Sequence, residues 1–403
     1  MFFTLDVRRA RKGDCFILHY GSKIDPGLAL IDGGPANVYK PHLKPRLAEL
    51  RKARGLDADD PLPVDLLMVS HIDDDHINGV LELTRELVQA KDAQQPLPLK
   101  IKSLWHNTFD DIIGNSPKEL TDAVTAQFGP ASLSGDANLD GLNPDVARLL
   151  ASVGQGCRLR DDTRKLNLRV NPEFQGKLVL AKPKGKKVDM GKGLKFTVVG
   201  PMNAEVVALQ KQHDKFLKRK QTERDVLAAF NDRSVANLSS VVVLAEVGKK
   251  RILLTGDARG DKILQGLEVV GLLKNDGKST IHVDVLKGPH HGSDRNVEPI
   301  FFRRITADHY VFSGNGEHGN PERETLQMLS DERGDDDYTV HLTYPIDEID
   351  VERKKAYEKH ATKPWSPKKQ SLKAFFAANK NFAKKVNIVS DTEPHLINLL
   401  DEM

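Results

Sequence analysis

The segment Ser70-His71-Ile72-Asp73-Asp74-Asp75-His76-Ile77-Asn78-Gly79 carries His71, Asp73, Asp75 and His76 within one short stretch. Imidazoles and carboxylates at this density repel or stay idle unless a cation gathers them. A divalent metal does so, because both side-chain types are good ligands for it. The competing reading is an acidic surface loop with two ordinary histidines.

Working outward, Pro63-Val-Asp-Leu-Leu-Met-Val is an apolar run suited to a buried strand that stops near Ser70. Asn78-Gly79 predicts a bend, with a helix beginning near Val80 and running to residue 91. The four ligand candidates then lie on a loop at the carboxyl end of a strand, where open α/β sheets carry their sites. Ahead of it, residues 2 to 34 predict a β-meander: Phe2-Phe-Thr-Leu-Asp-Val alternates, Gly13-Asp14 turns, and Leu28-Ala-Leu-Ile-Asp32-Gly-Gly closes it. Residues 36 to 60 predict a basic, mostly helical stretch, and Ile101 to Asn107 the next strand. His106 and Asn107 at its end read as a polar loop within reach of the site.

Two more strand ends carry polar chemistry. Asn237 to Asp257 is a β-branched hairpin ending in Leu-Leu-Thr-Gly-Asp257. Val283 to Ser293 is an apolar strand ending in His290-His291-Gly292-Ser293. A lone aspartate at a strand end is ordinary. The order of the three segments, histidine loop, aspartate, histidine pair, is what raises them above chance.

His71-x-Asp73-x-Asp75-His76 resembles the second motif of the metallo-β-lactamase fold, His-x-His-x-Asp-His. With Asp at the third place it is similar to the nuclease domain of the competence protein ComEC. The Gly13-Asp14 turn, Leu-Ile-Asp32-Gly-Gly, Thr-Gly-Asp257 and His290-His291-Gly-Ser resemble that domain in the same order, over about residues 1–34, 63–107, 194–201 and 235–345. The resemblance implies an α/β architecture, an αββα sandwich of two mixed β-sheets flanked by helices. It implies two divalent metal ions: His71 and Asp73 on one, Asp75, His76 and His290 or His291 on the other, and Asp257 bridging. One of the two adjacent histidines would ligate and the other touch substrate or an oxyanion. Asp32, and Asp14 with it, would support the metal shell from behind. Asn237 would line the site. The catalytic set is then Asp75, Asp257, His291 and Asn237. Where the relatives carry Gly-His-Pro, this chain has Gly319-Asn320-Pro321, with His318 as a substitute candidate. Ser293, His318 and Asn320 are candidate substrate contacts.

Domain organisation follows: a catalytic domain over 1–345, with 108–176 as an insertion containing short helices near 116–128 and 143–153, and a C-terminal extension over 346–403. A charged helix is predicted over 204–230. At 39% hydrophobic and 29% charged the chain is globular in composition. Net charge is only +3, so a nucleic-acid footprint must be a local patch. Residues 351 to 385 supply one, with eleven Lys/Arg against two Glu and with Tyr357, Trp365, Phe375, Phe376 and Phe382 interleaved. Cations neutralise phosphates and aromatics stack on unpaired bases. Lys368 and Lys369 are its candidate substrate contacts. The alternative is a tail whose aromatics pack on the core while its lysines face water.

Cys15 and Cys157 form no metal motif and fit free thiols in a reducing compartment. The N-terminus lacks the apolar core of a signal peptide, and no run approaches the ~20 apolar residues of a membrane span. The expectation is a cytoplasmic, metal-dependent phosphodiesterase or nuclease acting on DNA through a hydroxide shared by two metals, without a membrane partner. Manganese is the preferred ion, with zinc or magnesium as options. Hydrolysis of a small phosphoester, cyclic nucleotide, thioester or lactam is the enzymatic alternative, because one fold hosts many chemistries. A metal-bound nucleic-acid-binding or scaffold protein without turnover is the other.

Overall fold

The computed structural model describes residues 1–57, 59–107, 144–207, 239–359, 361, 363–391 and 393–401, with the backbone alone over 144–153. The helix expected near 116–128, most of the charged helix over 204–230, and Asn237 lie outside the described residues.

Alternating apolar residues build the first sheet. β1 (Phe2–Val7), β2 (Phe16–Gly21) and β3 (Pro26–Ile31) form the antiparallel meander, with Phe3 opposite Tyr20 and Leu18 opposite Ala29. The sheet then turns parallel. Ile31 pairs with Met68 of β5 (Leu66–Met68), and Met68 pairs with Trp105 of β7 (Leu104–Trp105).

The run from Pro63 to Val69, expected as one strand, is two. β4 (Leu62–Val64) leaves to pair with β6 (Leu99–Ile101) in a small separate sheet. The break falls at Asp65. Its carboxylate accepts from Tyr20 Oη at 2.9 Å, Leu28 N at 3.2 Å and Lys192 Nζ at 3.0 Å, so a polar crossing replaces a ladder position. The expected strand over 101–107 divides in the same way between β6 and β7.

The second sheet has eight strands. β8 (Val188–Gly191), β9 (Leu194–Gly200), β10 (Val242–Val247) and β11 (Lys250–Leu254) are antiparallel neighbours. From β11 the pairing is parallel, through β12 (Ile281–Lys287), β13 (Ile305–Phe312), β14 (Thr339–Leu342) and β15 (Val386–Ile388). β16 (His395–Asn398) pairs with β1 at the edge of the first sheet. The C-terminal segment therefore gives an edge strand to each large sheet.

Three apolar clusters set the layering. One joins the facing sides of the two large sheets, with Phe3, Leu5, Leu18 and Trp105 meeting Phe196, Val243, Val285 and Val311. Another fills the space between the first sheet and its helices, α1 (Lys44–Ala53) and α2 (Asp74–Asp92). The third lies outside the second sheet, under the helices Gly260–Val269, Pro299–Arg304, Arg323–Arg333 and Ile346–Glu358. Two large mixed sheets flanked by helices are compatible with a sandwich. The helix Pro144–Leu166, within the expected insertion, joins the outer layer, where Leu159 is buried and Thr84 Oγ1 donates to Asp162 Oδ2 at 2.7 Å. Among the described residues, no helix is long and apolar enough to cross a membrane.

α2 starts at Asp74, well before the expected Val80. Asp73 is its N-cap residue and Asp74 and Asp75 lie in its first turn, where carboxylates are favoured by the exposed N–H groups and the helix dipole. Gly79 does not make a turn. A Cβ there would sit 1.9 Å from Gly33 O, so this glycine lets the helix press against the backbone after β3. Asp75 and His76 are consequently held on a rigid helix rather than on a loop.

Candidate metal centre

The carboxyl ends of β3 and β5 in one sheet, and of β11, β12 and β13 in the other, converge on one edge of the two-sheet core. Ser70 O accepts from Val241 N at 2.7 Å and ties the sheets together there. From these ends project Asp32, His71, Asp257, the His290–His291 pair and Ser313. Asp14, just ahead of β2, and His76 of α2 complete the cluster.

One atom from each of Asp14, His76, Asp257 and His291 lies within 4.8 Å of the others, and so do atoms from His71, Asp75 and His76. Asp257 Oδ1 is 3.2 Å from His76 Nε2 and 3.2 Å from His291 Nε2. Asp257 Oδ2 is 3.8 Å from His71 Nε2 and 3.4 Å from His290 Nε2. Asp75 Oδ2 is 3.7 Å from His291 Nε2.

The far sides of the imidazoles are held. His76 Nδ1 meets Asp32 Oδ2 at 2.8 Å, and Asp32 in turn accepts from Ser70 N and Ser70 Oγ, each at 2.7 Å. His291 Nδ1 lies 3.1 Å from Ser313 Oγ and 3.3 Å from Asp14 Oδ1, while Ser313 Oγ donates to the same carboxylate oxygen. A carboxylate on the outer nitrogen fixes ring orientation and leaves the inner nitrogen for a ligand. The inner atoms are indeed unclaimed: His71 Nε2, His76 Nε2, His291 Nε2 and Asp257 Oδ1 are buried and have no hydrogen-bond partner. Buried polar atoms left unpaired are costly. These atoms belong to two overlapping clusters that share His76, and three of the four are imidazole nitrogens, a donor set that fits a divalent cation.

Electrostatics agree with that fit. Burial, aided by the neighbouring His76, pushes His71 down to about 4, so its ring is neutral near pH 7. For His76 burial acts downward, but Asp257 and Asp32 outweigh it and hold the ring charged without a metal. His291 is raised to about 9 against its burial, chiefly by Asp257. Asp257 stays far below the usual carboxylate range because His291, His290 and His76 outweigh its burial. Protons here neutralise what a cation would neutralise, and metal binding displaces them.

The two adjacent histidines separate by environment. The side chain of His291 is 2% exposed and that of His290 is 27% exposed. His290 Nδ1 meets Asn296 Oδ1 at 3.0 Å, and its Nε2 faces the rim beside Asp257. Both have left-handed backbone, φ 45° and 55°, as does Asp32 at φ 57°. Such non-glycine residues cost of order 1–3 kcal/mol each and concentrate at functional sites.

Asp73 is at the margin, its Oδ2 3.7 Å from His71 Nε2. Ser293 is buried and its N–H donates to His290 O at 3.0 Å. Asn320 is buried, and its Nδ2 donates to the same His290 carbonyl at 3.2 Å, so it braces the histidine loop through backbone. His318 is exposed. Asn107 faces away from this chemistry, with its side-chain amide pairing both backbone groups of Val179 at 2.8 and 3.0 Å. Lys368 and Lys369 are exposed on the short helix Pro367–Gln370. Phe375, Phe376 and Phe382 are core residues, as the packed-tail alternative expects of them.

Sequence reasoning missed Lys287. Its side chain is 1% exposed, with Nζ 2.7 Å from Asp14 Oδ2, 3.7 Å from Asp257 Oδ1 and donating to Gly256 O at 2.8 Å. The available signal was a lysine in the last position of an apolar strand, three residues before His290.

No family model matches the chain, and no curated protein matches it. Among solved structures it is similar to the "Putative metal-dependent hydrolase" of Parabacteroides distasonis ATCC 8503, at 9% identity and TM-score 0.30, covering 84% of this chain and 97% of that one. It is also similar to a protein of unknown function from Enterococcus faecalis V583, at 12% identity and TM-score 0.29, covering 86% of this chain and 71% of that one. At these scores the likenesses leave the reading to the site itself.

Proposed function

We propose that this protein is a metal-dependent hydrolase of the metallo-β-lactamase kind, similar to the ComEC nuclease domain, and that it cleaves phosphodiester bonds of nucleic acid, DNA first. The observation that carries the metal chemistry is the pair of overlapping clusters that share His76: Asp14, His76, Asp257 and His291 in one, and His71, Asp75 and His76 in the other, with His71 Nε2, His76 Nε2, His291 Nε2 and Asp257 Oδ1 buried and without a hydrogen-bond partner. The motif order and the basic C-terminal segment support the nucleic-acid reading.

His71, Asp75, His76, Asp257 and His291 would hold the metal, with Asp73 at the edge of the set. Divalent cations supply, when bound, an activated water and neutralisation of the charge developing on phosphorus. The chain supplies the rest. Asp32 keeps the Nδ1 proton of His76 on its outer face, and Asp14 with Ser313 does the same for His291. Lys287 offsets the charge of Asp14, so that Asp14 orients rather than repels. His290, the part-exposed imidazole at the rim beside Asp257, would contact a substrate oxygen.

The test is turnover by metal-stripped protein titrated with Mn²⁺, Mg²⁺ or Zn²⁺ on bis-p-nitrophenyl phosphate, linear and circular DNA, and RNA. Metal-dependent cleavage of the diester and of DNA is expected. Metal binding without turnover on any of them would leave a scaffold. Turnover confined to a lactam, thioester or cyclic nucleotide would overturn the substrate.

A further inference from the structure

We propose that the surface carrying Tyr357, Lys363, Trp365, Lys368 and Lys369 binds single-stranded nucleic acid and directs it to the metal centre. The proposal rests on the hydrolase reading above and adds the form of the substrate.

The surface has the two chemistries that single strands need. Tyr357 and Trp365 are part-exposed and pack edge to face, with ring centroids 5.4 Å apart, unlike the buried phenylalanines of the same segment. Around them Lys363, Lys368 and Lys369 are exposed and enter no ion pair among the described residues. Lys354, Lys355 and Lys373 are already committed, to Glu358, Glu352 and Asp347. Exposed rings offer faces on which unpaired bases stack, and free ammonium groups follow the phosphates. A duplex hides its base faces and gains only the second contribution.

The surface is fastened to the metal loop. Arg353, 7% exposed, donates to Pro321 O at 2.6 Å, to Gly319 O, and to Gln370 O at 3.0 Å. Arg323 Nη1 donates to Lys368 O at 2.9 Å and Lys369 O at 2.8 Å. Asn320, between the two carbonyls that Arg353 holds, donates to His290 O. The helix Ile346–Glu358 presses so closely on this loop that a Cβ at Gly316, where φ is +95°, would lie 2.3 Å from Ile349 O. Three short polar steps thus connect the lysines to the rim histidine.

The test is fluorescence anisotropy with the full chain as purified, using phosphorothioate-linked 20-mers that resist cleavage: single-stranded DNA, single-stranded RNA and duplex DNA. Single strands should bind tighter than duplex. Trp365→Ala should weaken single-strand binding on the order of ten-fold, and Trp365→Phe should keep most of it. The triple Lys363→Gln, Lys368→Gln, Lys369→Gln should lower the slope of log affinity against log salt by about 2. A preference for DNA or for RNA identifies the natural strand. Duplex binding as tight as single-strand binding overturns the proposal, as does unchanged affinity in both Trp365→Ala and the triple variant. Failure of the hydrolase reading would show separately, as absent turnover of bis-p-nitrophenyl phosphate by wild-type protein.

Discussion

Lys287 Nζ lies 2.7 Å from Asp14 Oδ2, and both side chains are 1% exposed. A buried cation is therefore paired with a buried carboxylate beside the candidate ligands His76, Asp257 and His291. Removing one partner of such a pair leaves the other charge buried and unmatched, which typically costs about 3–5 kcal/mol. Lys287→Met should lose stability of that order in metal-stripped protein. The double variant Asp14→Asn, Lys287→Met should recover much of it. Chemical denaturation of the four proteins in the cycle measures the coupling, and strictly additive losses would mean that the pair does not act as a unit.

Asp257 and Asp32 should differ in kind. Asp257 faces four imidazoles, whereas Asp32 meets one, at the outer nitrogen of His76, and spends its other contacts on Ser70. Asp32→Asn should weaken metal binding by about 10- to 100-fold, the usual effect of an outer partner. Asp257→Ala should weaken it further and abolish turnover while the protein stays folded. Metal titration followed by calorimetry gives the order, and full activity in Asp257→Ala would remove it from the ligand set.

Much of this edge was legible because candidate ligands cluster locally near strand ends, where apolar periodicity stops. His71, Asp257 and His291 each follow closely on a strand, and Asp75 and His76 follow His71 within five residues. The start of α2 was not legible, because Asn78-Gly79 has the composition of a turn. Gly79 serves instead for close approach to Gly33, a tertiary contact that no local pattern announces. Asp65 was hidden for a similar reason, since its partners Tyr20, Leu28 and Lys192 come from distant strands. Lys287 and Arg353 looked like solvated cations. Their burial depends on carbonyls and carboxylates supplied by other elements.

A second chain of histidines, centred on the buried His341, predicts acid lability away from the candidate metal centre. His309 Nδ1 is 3.1 Å from His341 Nε2, and His341 Nδ1 is 2.8 Å from His395 Nε2, linking β13 and β14 to β16 in the other sheet. Burial, with His395 and His309 adding to it, pushes His341 down to about 3. The unfolded chain protonates the same group near pH 6.5, so between those values the unfolded state binds more protons. The stability this neutral ring contributes is complete above about pH 6.5 and falls as pH drops toward 3, by up to ~1.4 kcal/mol per pH unit. Urea midpoints at pH 4 to 7 should fall less steeply in His341→Leu than in wild type. Parallel slopes would contradict the assignment.

The last prediction concerns which metal supports turnover. Zinc favours nitrogen- and sulfur-rich tetrahedral sites, while manganese and magnesium favour oxygen-rich, higher-coordinate ones. Around His71 the carboxylates are Asp73 Oδ2 at 3.7 Å and Asp257 Oδ2 at 3.8 Å, and the nearest imidazole is His76, with ring centroids 4.1 Å apart. The usual motif carries a second imidazole where this chain has Asp73. Asp73 is also the N-cap residue of α2, so its backbone is fixed by the helix start whatever ion binds. Mn²⁺ should therefore give the fastest turnover, and excess Zn²⁺ should bind and inhibit, because zinc can still win on raw affinity. Asp73→His restores a nitrogen ligand on the same backbone and should move the optimum toward zinc. Titration of metal-stripped wild type and variant with each ion decides it. Highest turnover with zinc alone in the wild type would show that the carboxylate at position 73 does not set the preference. An unmoved optimum in Asp73→His would assign the selection to His76 and His291 instead, where imidazole nitrogen already dominates.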